Sequence, residues 1–89
     1  MRHYTYVMFS PSRYQYFVGH TDENPDAMVN KHNAGRMFST KKGTPWQLVF
    51  SKQFESSVDS FLFAKKLDTF KTRNCLRHFI EQLSHEEVL

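Results

Sequence analysis

The hydrophobic and polar pattern at the start of the chain predicts a β-hairpin. Residues 4–10 and 14–21 are two short runs rich in tyrosine, valine, threonine and phenylalanine. Aromatic and β-branched residues of this kind are typical of strands. Residues 11–13, Pro-Ser-Arg, separate the two runs and are few enough to close an antiparallel turn. The chain is therefore expected to begin with two paired strands.

A helix start signal follows the hairpin at Asn24, Pro25 and Asp26. Asparagine accepts hydrogen bonds from the free N–H groups of a first turn, proline fits that turn, and aspartate complements the helix dipole. Gly35 can take the left-handed geometry that ends a helix. We therefore predict one helix that ends by Gly35, and a third strand at residues 45–51, where the composition again favours β-structure.

The second half of the chain carries the periodicity of two helices. Ser56 and Asp59 resemble a capping box, with aspartate in place of glutamate or glutamine, and predict a helix that reaches about Phe70. Its apolar residues form two stripes, which are Val58, Phe61 and Leu62, and Phe63, Leu67 and Phe70. One stripe is enough to face a core, so either both sides are buried or one side contacts a partner. The last helix is predicted at about residues 72–83, with apolar residues at helical spacing.

The order β, β, α, β, α, α predicts an α/β fold, in which a small, three-stranded and mainly antiparallel sheet is flanked by helices. A chain of 89 residues can supply only one core. We therefore expect a single domain, with its core at about residues 4–83 and a short C-terminal tail at 84–89. No apolar run is long enough to span a membrane, and no signal-peptide pattern is present. A cytoplasmic protein without membrane contact is expected.

The charge distribution favours an anionic partner. The net charge is +3, and the acidic residues gather at 22–26 and 81–87, away from most of the basic ones. The candidate nucleic-acid contacts are Arg36, Lys41, Lys42, Lys65, Lys71, Arg73 and Arg77. Separate basic clusters are typical of proteins that bind the phosphates of DNA or RNA. Solvated lysines and arginines on an ordinary surface would give the same pattern, so both interpretations stay open.

Five short sequence words, in this order, resemble those of the GIY-YIG nuclease domain. They are Tyr4-Thr5-Tyr6, residues 17–21 (FVGHT), residues 32–35 (HNAG), residues 45–50 with 54–56 (PWQLVF and FES), and Lys71-Thr72-Arg73. The resemblance is to short bacterial members of the family and covers nearly the whole chain, to about Gln82. It implies the family's fold, whose order of elements is the order predicted above.

The family hydrolyses nucleic-acid phosphodiesters with one divalent metal ion. A glutamate holds the metal, an arginine offsets the charge of the phosphate, and two tyrosines, often with a histidine, position or deprotonate the attacking water. The resemblance assigns the first tyrosine to Tyr6 and the histidine to His32. A structural interpretation stays open for both, because Tyr6 can be a buried hairpin ring and His32 a residue favoured by the dipole at a helix C-terminus.

The resemblance also implies that catalytic groups are missing. Phe17 has no hydroxyl at the second tyrosine position, Met28 stands where the arginine belongs, and Ala64 stands where the glutamate belongs. Tyr16 is one residue from Phe17, but strand alternation points it to the opposite face. Losses of such groups typically cost orders of magnitude in rate. We therefore predict a catalytically inactive domain without a cofactor, which binds nucleic acid or another protein.

These replacements predict an apolar cleft and leave one alternative function. Together with Leu62 and Phe63, the three replacements should form an apolar patch, covered by the protein's own core, by a second copy in a homodimer, or by another protein. The alternative function is an active endonuclease that hydrolyses DNA. It would use a rearranged site of Tyr6, His32 and Asp68 with Mg²⁺ or Mn²⁺.

Overall fold

The computed structural model describes residues 2–35, 37–70 and 73–88, with side chains described at all of these except 39, 73–74 and 83–88. Its elements are β1 (His3–Ser10), β2 (Gln15–Thr21), α1 (Pro25–Asn33), a 3₁₀ helix (Phe38–Gly43), β3 (Gln47–Phe54), α2 (Ser57–Asp68) and α3 (Arg73–Val88). The predicted α/β class and the predicted order of elements are confirmed.

The sheet has the strand order β2-β1-β3, and both pairings are antiparallel. In the hairpin, Tyr6 lies opposite Gly19 and Val7 lies opposite Val18. Because side chains alternate along a strand, Tyr6 and Met8 point to one face of the sheet, and Val7 points to the other. We call these the Tyr6 face and the Val7 face.

Each face of the sheet carries its own hydrophobic cluster. On the Val7 face, residues of β1, β3, α2 and α3 pack together, namely Val7, Phe50, Leu67, Leu76 and Ile80. On the Tyr6 face, residues of β1, of α1 and of the segment just before β3 pack together, namely Tyr6, Met8, Val29 and Trp46. The sheet is therefore covered on both sides, by α2 and α3 on one side and by α1 on the other.

The predicted helix starts and the predicted end of α1 are confirmed. The Asn24 side chain accepts from the N–H of Asp26 at 2.8 Å, and Gly35 follows α1 with a φ of 75°. The Ser56 hydroxyl accepts from the N–H of Asp59 at 3.1 Å. Each contact satisfies a backbone N–H that has no partner within its helix.

The boundaries of β2 and β3 differ from the prediction. Tyr14 lies in the turn with a φ of 53°, so β2 begins one residue later, at Gln15. The third strand begins at Gln47, because both backbone groups of Trp46 bond to the Asn33 side chain instead of to a strand. The Asn33 amide oxygen accepts from the N–H of Trp46 at 2.5 Å, and its amide nitrogen donates to the carbonyl of Trp46 at 3.0 Å. β3 then continues to Phe54, beyond the predicted end at residue 51.

The helix ends also differ. The segment after Asp68 turns back on α2, since the N–H and hydroxyl of Thr69 both bond to the Lys66 carbonyl. α2 therefore ends at Asp68, before the predicted Phe70. In contrast, α3 continues to Val88, past the predicted end at residue 83, because no glycine or proline interrupts it. The expected tail is thus helical as far as Val88.

The two apolar stripes of α2 have different environments. Phe63, Leu67 and Phe70 pack in the cluster on the Val7 face, whereas Val58, Phe61 and Leu62 are exposed. The first of the two expectations, burial of both sides, is therefore wrong. Within the described part of the chain, no helix has the length and apolar character needed to cross a membrane.

Candidate functional site

A buried chain of hydrogen bonds joins Tyr6, His32 and Thr40. Tyr6 Oη lies 3.0 Å from His32 Nε2, and His32 Nδ1 lies 2.7 Å from Thr40 Oγ1. The three residues are 2%, 3% and 2% exposed, respectively. β1, α1 and the 3₁₀ helix each supply one residue. The structure thus brings together the two motif residues identified in the sequence, and adds Thr40, which the sequence reasoning missed.

The protons in this chain can be arranged so that every group has a partner. Tyr6 Oη–H donates to His32 Nε2, His32 Nδ1–H donates to Thr40 Oγ1, and the Thr40 hydroxyl donates to the Met37 carbonyl at 3.4 Å. In the other tautomer, the Thr40 hydroxyl donates to His32 Nδ1, and Nε2–H donates to Tyr6 Oη. Both arrangements contain a neutral imidazole.

Burial keeps Tyr6 and His32 uncharged near neutral pH. It raises the pKa of Tyr6 to about 12, and it lowers the pKa of His32 below its ordinary value. The phenolate, which could take a proton from water, is therefore scarce. The Nε2 atom of His32 is already engaged by Tyr6. These properties suit a structural hydrogen-bond chain better than a proton-transfer site.

Acidification is expected to destabilise the protein through His32. Its pKa is lower in the folded protein, so the unfolded chain binds the proton more readily. This stability is fully present above the unfolded pKa of about 6.5 and is lost as the pH falls through the folded pKa. Melting temperatures measured between about pH 8 and pH 5 should fall less steeply for His32→Gln than for the wild type or for His20→Gln. The same slope in all three proteins would contradict a buried neutral His32.

Gly19 gives Tyr6 the space to reach His32. A Cβ atom at position 19 would lie 2.7 Å from Tyr6 Cζ and 2.8 Å from Tyr6 Oη. The tyrosine ring therefore lies directly against the backbone of β2, as only glycine permits. The motif that contains Gly19 could be recognised in the sequence, but this steric role became visible only once the two strands were paired.

Phe17 and Met28 pack against the cluster that contains Tyr6. Both are partly buried against the cluster on the Tyr6 face, and the Phe17 ring centroid lies 6.3 Å from that of Tyr6 and 5.2 Å from that of His32. Tyr16 packs against the cluster on the Val7 face instead. The predicted alternation of Tyr16 and Phe17 is therefore confirmed, and the apolar ring of Phe17 lies beside the Tyr6 and His32 pair.

Ala64 packs on the opposite side of the sheet. It is 5% exposed and shares the sheet-facing side of α2 with Ser60 and Leu67. The Ser60 carbonyl accepts from the hydroxyl of Thr5 at 2.7 Å, and Thr5 lies on the Val7 face. The structure therefore separates Ala64 from Tyr6 and His32.

The prediction of a single apolar cleft is wrong, because its residues also lie on both sides of the sheet. Phe17 and Met28 pack on the Tyr6 face, Phe63 and Ala64 belong to a helix on the Val7 face, and Leu62 is exposed. The sequence reasoning aligned these positions with one site. Which face of the sheet a helix covers depends on the path of the chain, which spacing alone does not specify.

A groove of about 340 Å³ opens between the hairpin turn and the 3₁₀ helix. Three basic residues line it, namely Arg13, Lys41 and Lys42, and all three are exposed. Phe17, Phe38 and Trp46 contribute aromatic surface. Sequence reasoning identified the two lysines but missed Arg13 and Phe38. An aromatic residue within a basic segment was the signal that could have identified Phe38.

The other candidate nucleic-acid contacts do not join this groove. Lys65 lies on α2, with its ammonium 5.5 Å from the Phe61 ring centroid, and Arg77 lies on α3, 3.9 Å from Glu81. Arg36, Lys71 and the side chain of Arg73 lie outside the described residues. The basic residues that the structure describes thus occupy separate surfaces rather than one.

Hydrogen bonds attach the basic 3₁₀ helix to the rest of the fold. The indole N–H of Trp46 donates to the Thr40 carbonyl at 2.8 Å, and the Ser10 hydroxyl donates to the Gly43 carbonyl at 2.6 Å. Together with the contact of Thr40 with His32, these bonds hold the segment against β1, α1 and Trp46, the residue before β3. The hydrogen-bond chain that starts at Tyr6 in the hairpin therefore continues through His32 to Thr40, which lines the groove.

These observations define a small α/β domain in which a hairpin tyrosine packs over a glycine and bonds to a histidine on the first helix. The family model described as the GIY-YIG catalytic domain matches residues 2–61, more than half of the chain, and the protein belongs to this family. The match ends before Ala64, so the assignment of that position rests on the sequence resemblance. Comparisons with curated proteins and with solved structures gave no significant match.

The sequence resemblance places Ala64 at the position of the family's metal-binding glutamate, and an alanine side chain cannot bind a metal ion. Among the described residues, no three histidine, cysteine, aspartate or glutamate side chains come together in a way that could hold a metal ion. Asp68, the carboxylate of the alternative site, is exposed at the end of α2, whose buried side covers the Val7 face. Tyr6 and His32 lie on the Tyr6 face.

Proposed function

We propose that the protein is a catalytically inactive GIY-YIG domain that binds nucleic acid. The observation that carries the proposal is the buried contact of Tyr6 with His32, which lies beside Phe17 in a cluster that Met28 also packs against. Its two polar groups are neutral and bonded to each other, and the sequence resemblance assigns the apolar residues Phe17 and Met28 to the positions of the second hydroxyl and the phosphate-binding cation. This arrangement supports the fold of the hairpin and α1 without supplying the chemistry of hydrolysis.

Family membership and the basic groove support nucleic acid as the partner. GIY-YIG nucleases act on nucleic acids, and the scaffold that positions Tyr6 and His32 also positions Lys41 and Lys42. Arg13 adds a third cation from the hairpin turn. Phosphates of DNA or RNA are the ligands that such a group of exposed cations attracts.

The second candidate function is an active DNA endonuclease with a rearranged site. The retained contact of Tyr6 with His32 favours it, since a hydroxyl and an imidazole 3.0 Å apart are common parts of a proton relay. It would require Asp68 to hold Mg²⁺ or Mn²⁺ from a different face of the sheet. We therefore place this function second.

A protein is the other candidate partner of a catalytically inactive domain. The exposed stripe Val58, Phe61 and Leu62 favours it, because adjacent apolar side chains on a helix are common in interfaces. This stripe is separate from the Tyr6 face, so a partner or a second copy bound there would leave the groove accessible. A cytoplasmic location stays a prediction.

We expect binding to single-stranded DNA or RNA that weakens steeply with salt. Fluorescence anisotropy of labelled strands should give a straight line for log affinity against log salt, with a slope of about −0.7 for each phosphate contact. The double change Lys41→Gln and Lys42→Gln should make that slope shallower, whereas Lys65→Gln, on the other side of the sheet, should leave it unchanged. Absence of binding even at low salt would contradict the proposed partner.

A further inference from the structure

Phe38 is the most exposed large apolar side chain among the described residues, at 93%. Exposing such a ring to water is unfavourable, so its full exposure indicates a function at the surface. Phe38 starts the 3₁₀ helix, whose residue Thr40 is buried and bonded to His32. The ring is therefore displayed by a segment that is firmly attached to the core.

The charges around Phe38 all have one sign. Arg13, Lys41 and Lys42 line the same groove, and no aspartate or glutamate is among the described residues that line it. The groove is therefore complementary to an anion. Three cations also exceed what one phosphate group needs, which favours successive phosphates along a strand.

An exposed aromatic ring beside a row of cations is typical of sites that bind single-stranded nucleic acid. The ring stacks on an unpaired base, and the cations contact the backbone. In a duplex the faces of the bases are already covered by stacking, so Phe38 would have no base to contact. The volume of about 340 Å³ is near the lower end for ligand pockets, about 300–1,000 Å³, which suits one nucleotide.

We propose that the groove binds a single strand of DNA or RNA, with one unpaired base stacked on Phe38 and the neighbouring phosphates on Arg13, Lys41 and Lys42. The inference rests on the proposed nucleic-acid binding and specifies the form of the ligand and the residue that selects it. Selection for unpaired bases follows from the stacking, and the sequence-independent part of the affinity follows from the cations.

The chain's only tryptophan gives a direct readout of this site. Trp46 lines the groove, so its fluorescence should change when a strand binds there. We expect Phe38→Leu, which keeps an apolar side chain but removes the aromatic face, to weaken single-strand binding about tenfold. Phe38→Tyr should bind like the wild type. Because Phe38 is exposed, melting temperatures of both variants should match that of the wild type.

Phe61→Leu is the matched control, because Phe61 is an exposed phenylalanine on α2. It should not change binding. A duplex of the same sequence should bind more weakly, and its affinity should be the same for Phe38→Leu and the wild type. A free mononucleotide should compete only weakly, since it offers one phosphate to three cations.

The possible failures are distinguishable. If Phe38→Leu binds the single strand like the wild type while the Lys41 and Lys42 changes still weaken binding, the stacking site is wrong but the proposed function stands. Tighter binding of the duplex, or competition by a mononucleotide as strong as by the strand, would also overturn the inference. If no nucleic acid binds at low salt, both proposals fail.

Discussion

Replacing His32 by alanine is expected to lower the free energy of unfolding by about 3 kcal/mol. The substitution removes the partner of the Tyr6 hydroxyl and a partner of the Thr40 hydroxyl, and both groups are buried. A buried polar group without a partner costs about 1–3 kcal/mol, and the space left by the imidazole adds a cavity cost. A small domain has only about 5–15 kcal/mol in total, so the loss is large.

Urea denaturation of three proteins tests this prediction. His78→Ala is the matched control, since His78 is exposed on α3, where its ring lies 3.2 Å from the side chain of Gln82. It should change the free energy of unfolding by no more than about 0.5 kcal/mol. His32→Gln, which can keep one hydrogen bond, should lie between the control and His32→Ala. A His32→Ala protein as stable as the wild type would show that the buried hydrogen-bond chain contributes nothing.

Gly19→Ala is expected to lower the free energy of unfolding by about 2–3 kcal/mol. The added Cβ atom would lie 2.7 Å from the Tyr6 ring, which is only 2% exposed and is held by His32. Either the ring leaves its hydrogen bond or the two strands separate slightly, and overpacking of a core typically costs about 1–3 kcal/mol. The usual preference of a strand for alanine over glycine acts in the opposite direction, so a loss identifies the steric conflict.

A double-mutant cycle isolates this conflict. In a Tyr6→Leu background the ring is absent, so the further change Gly19→Ala should cost nothing or stabilise the protein slightly. The interaction free energy of the cycle should then be about 2 kcal/mol or more. Equal costs of Gly19→Ala in both backgrounds would mean that Tyr6 does not need the glycine.

Local signals in the sequence were sufficient for most of the fold. The caps at Asn24 and Ser56 and the left-handed Gly35 depend on residues next to each other in the chain, and all three are present in the structure. The boundaries that differ depend on distant contacts. β3 begins later than predicted because the backbone N–H and carbonyl of Trp46 bond to the side chain of Asn33, which lies thirteen residues earlier in the chain.

In the candidate site, too, local motifs could be recognised in the sequence, whereas contacts between distant segments could not. Tyr6 and His32 were identified from their motif positions, and the structure places them in contact. Thr40 carries no pattern that distinguishes it from other threonines, and its role appears only when the 3₁₀ helix packs on α1. Arg13 comes from the hairpin turn and Phe38 from the 3₁₀ helix, so their common groove depends on how the chain folds back on itself.

The placement of Ala64 could not be predicted from the sequence. The spacing of α2 indicates that Ala64 shares a side with Ser60 and Leu67, but it does not indicate which face of the sheet that side covers. The hydrogen bond from Thr5 to Ser60 identifies the face. For this reason, the sequence reasoning expected one apolar cleft where the structure has two separate clusters.

The most direct test of the central claim is a cleavage assay under conditions in which the purified protein binds its strand. End-labelled single- and double-stranded DNA and RNA are incubated with the protein and Mg²⁺ or Mn²⁺, and both the shift and the integrity of the strands are followed. We expect bound strands that stay intact. Metal-dependent cleavage that is lost in Tyr6→Phe, a variant that removes only the hydroxyl, would contradict an inactive domain and establish the nuclease.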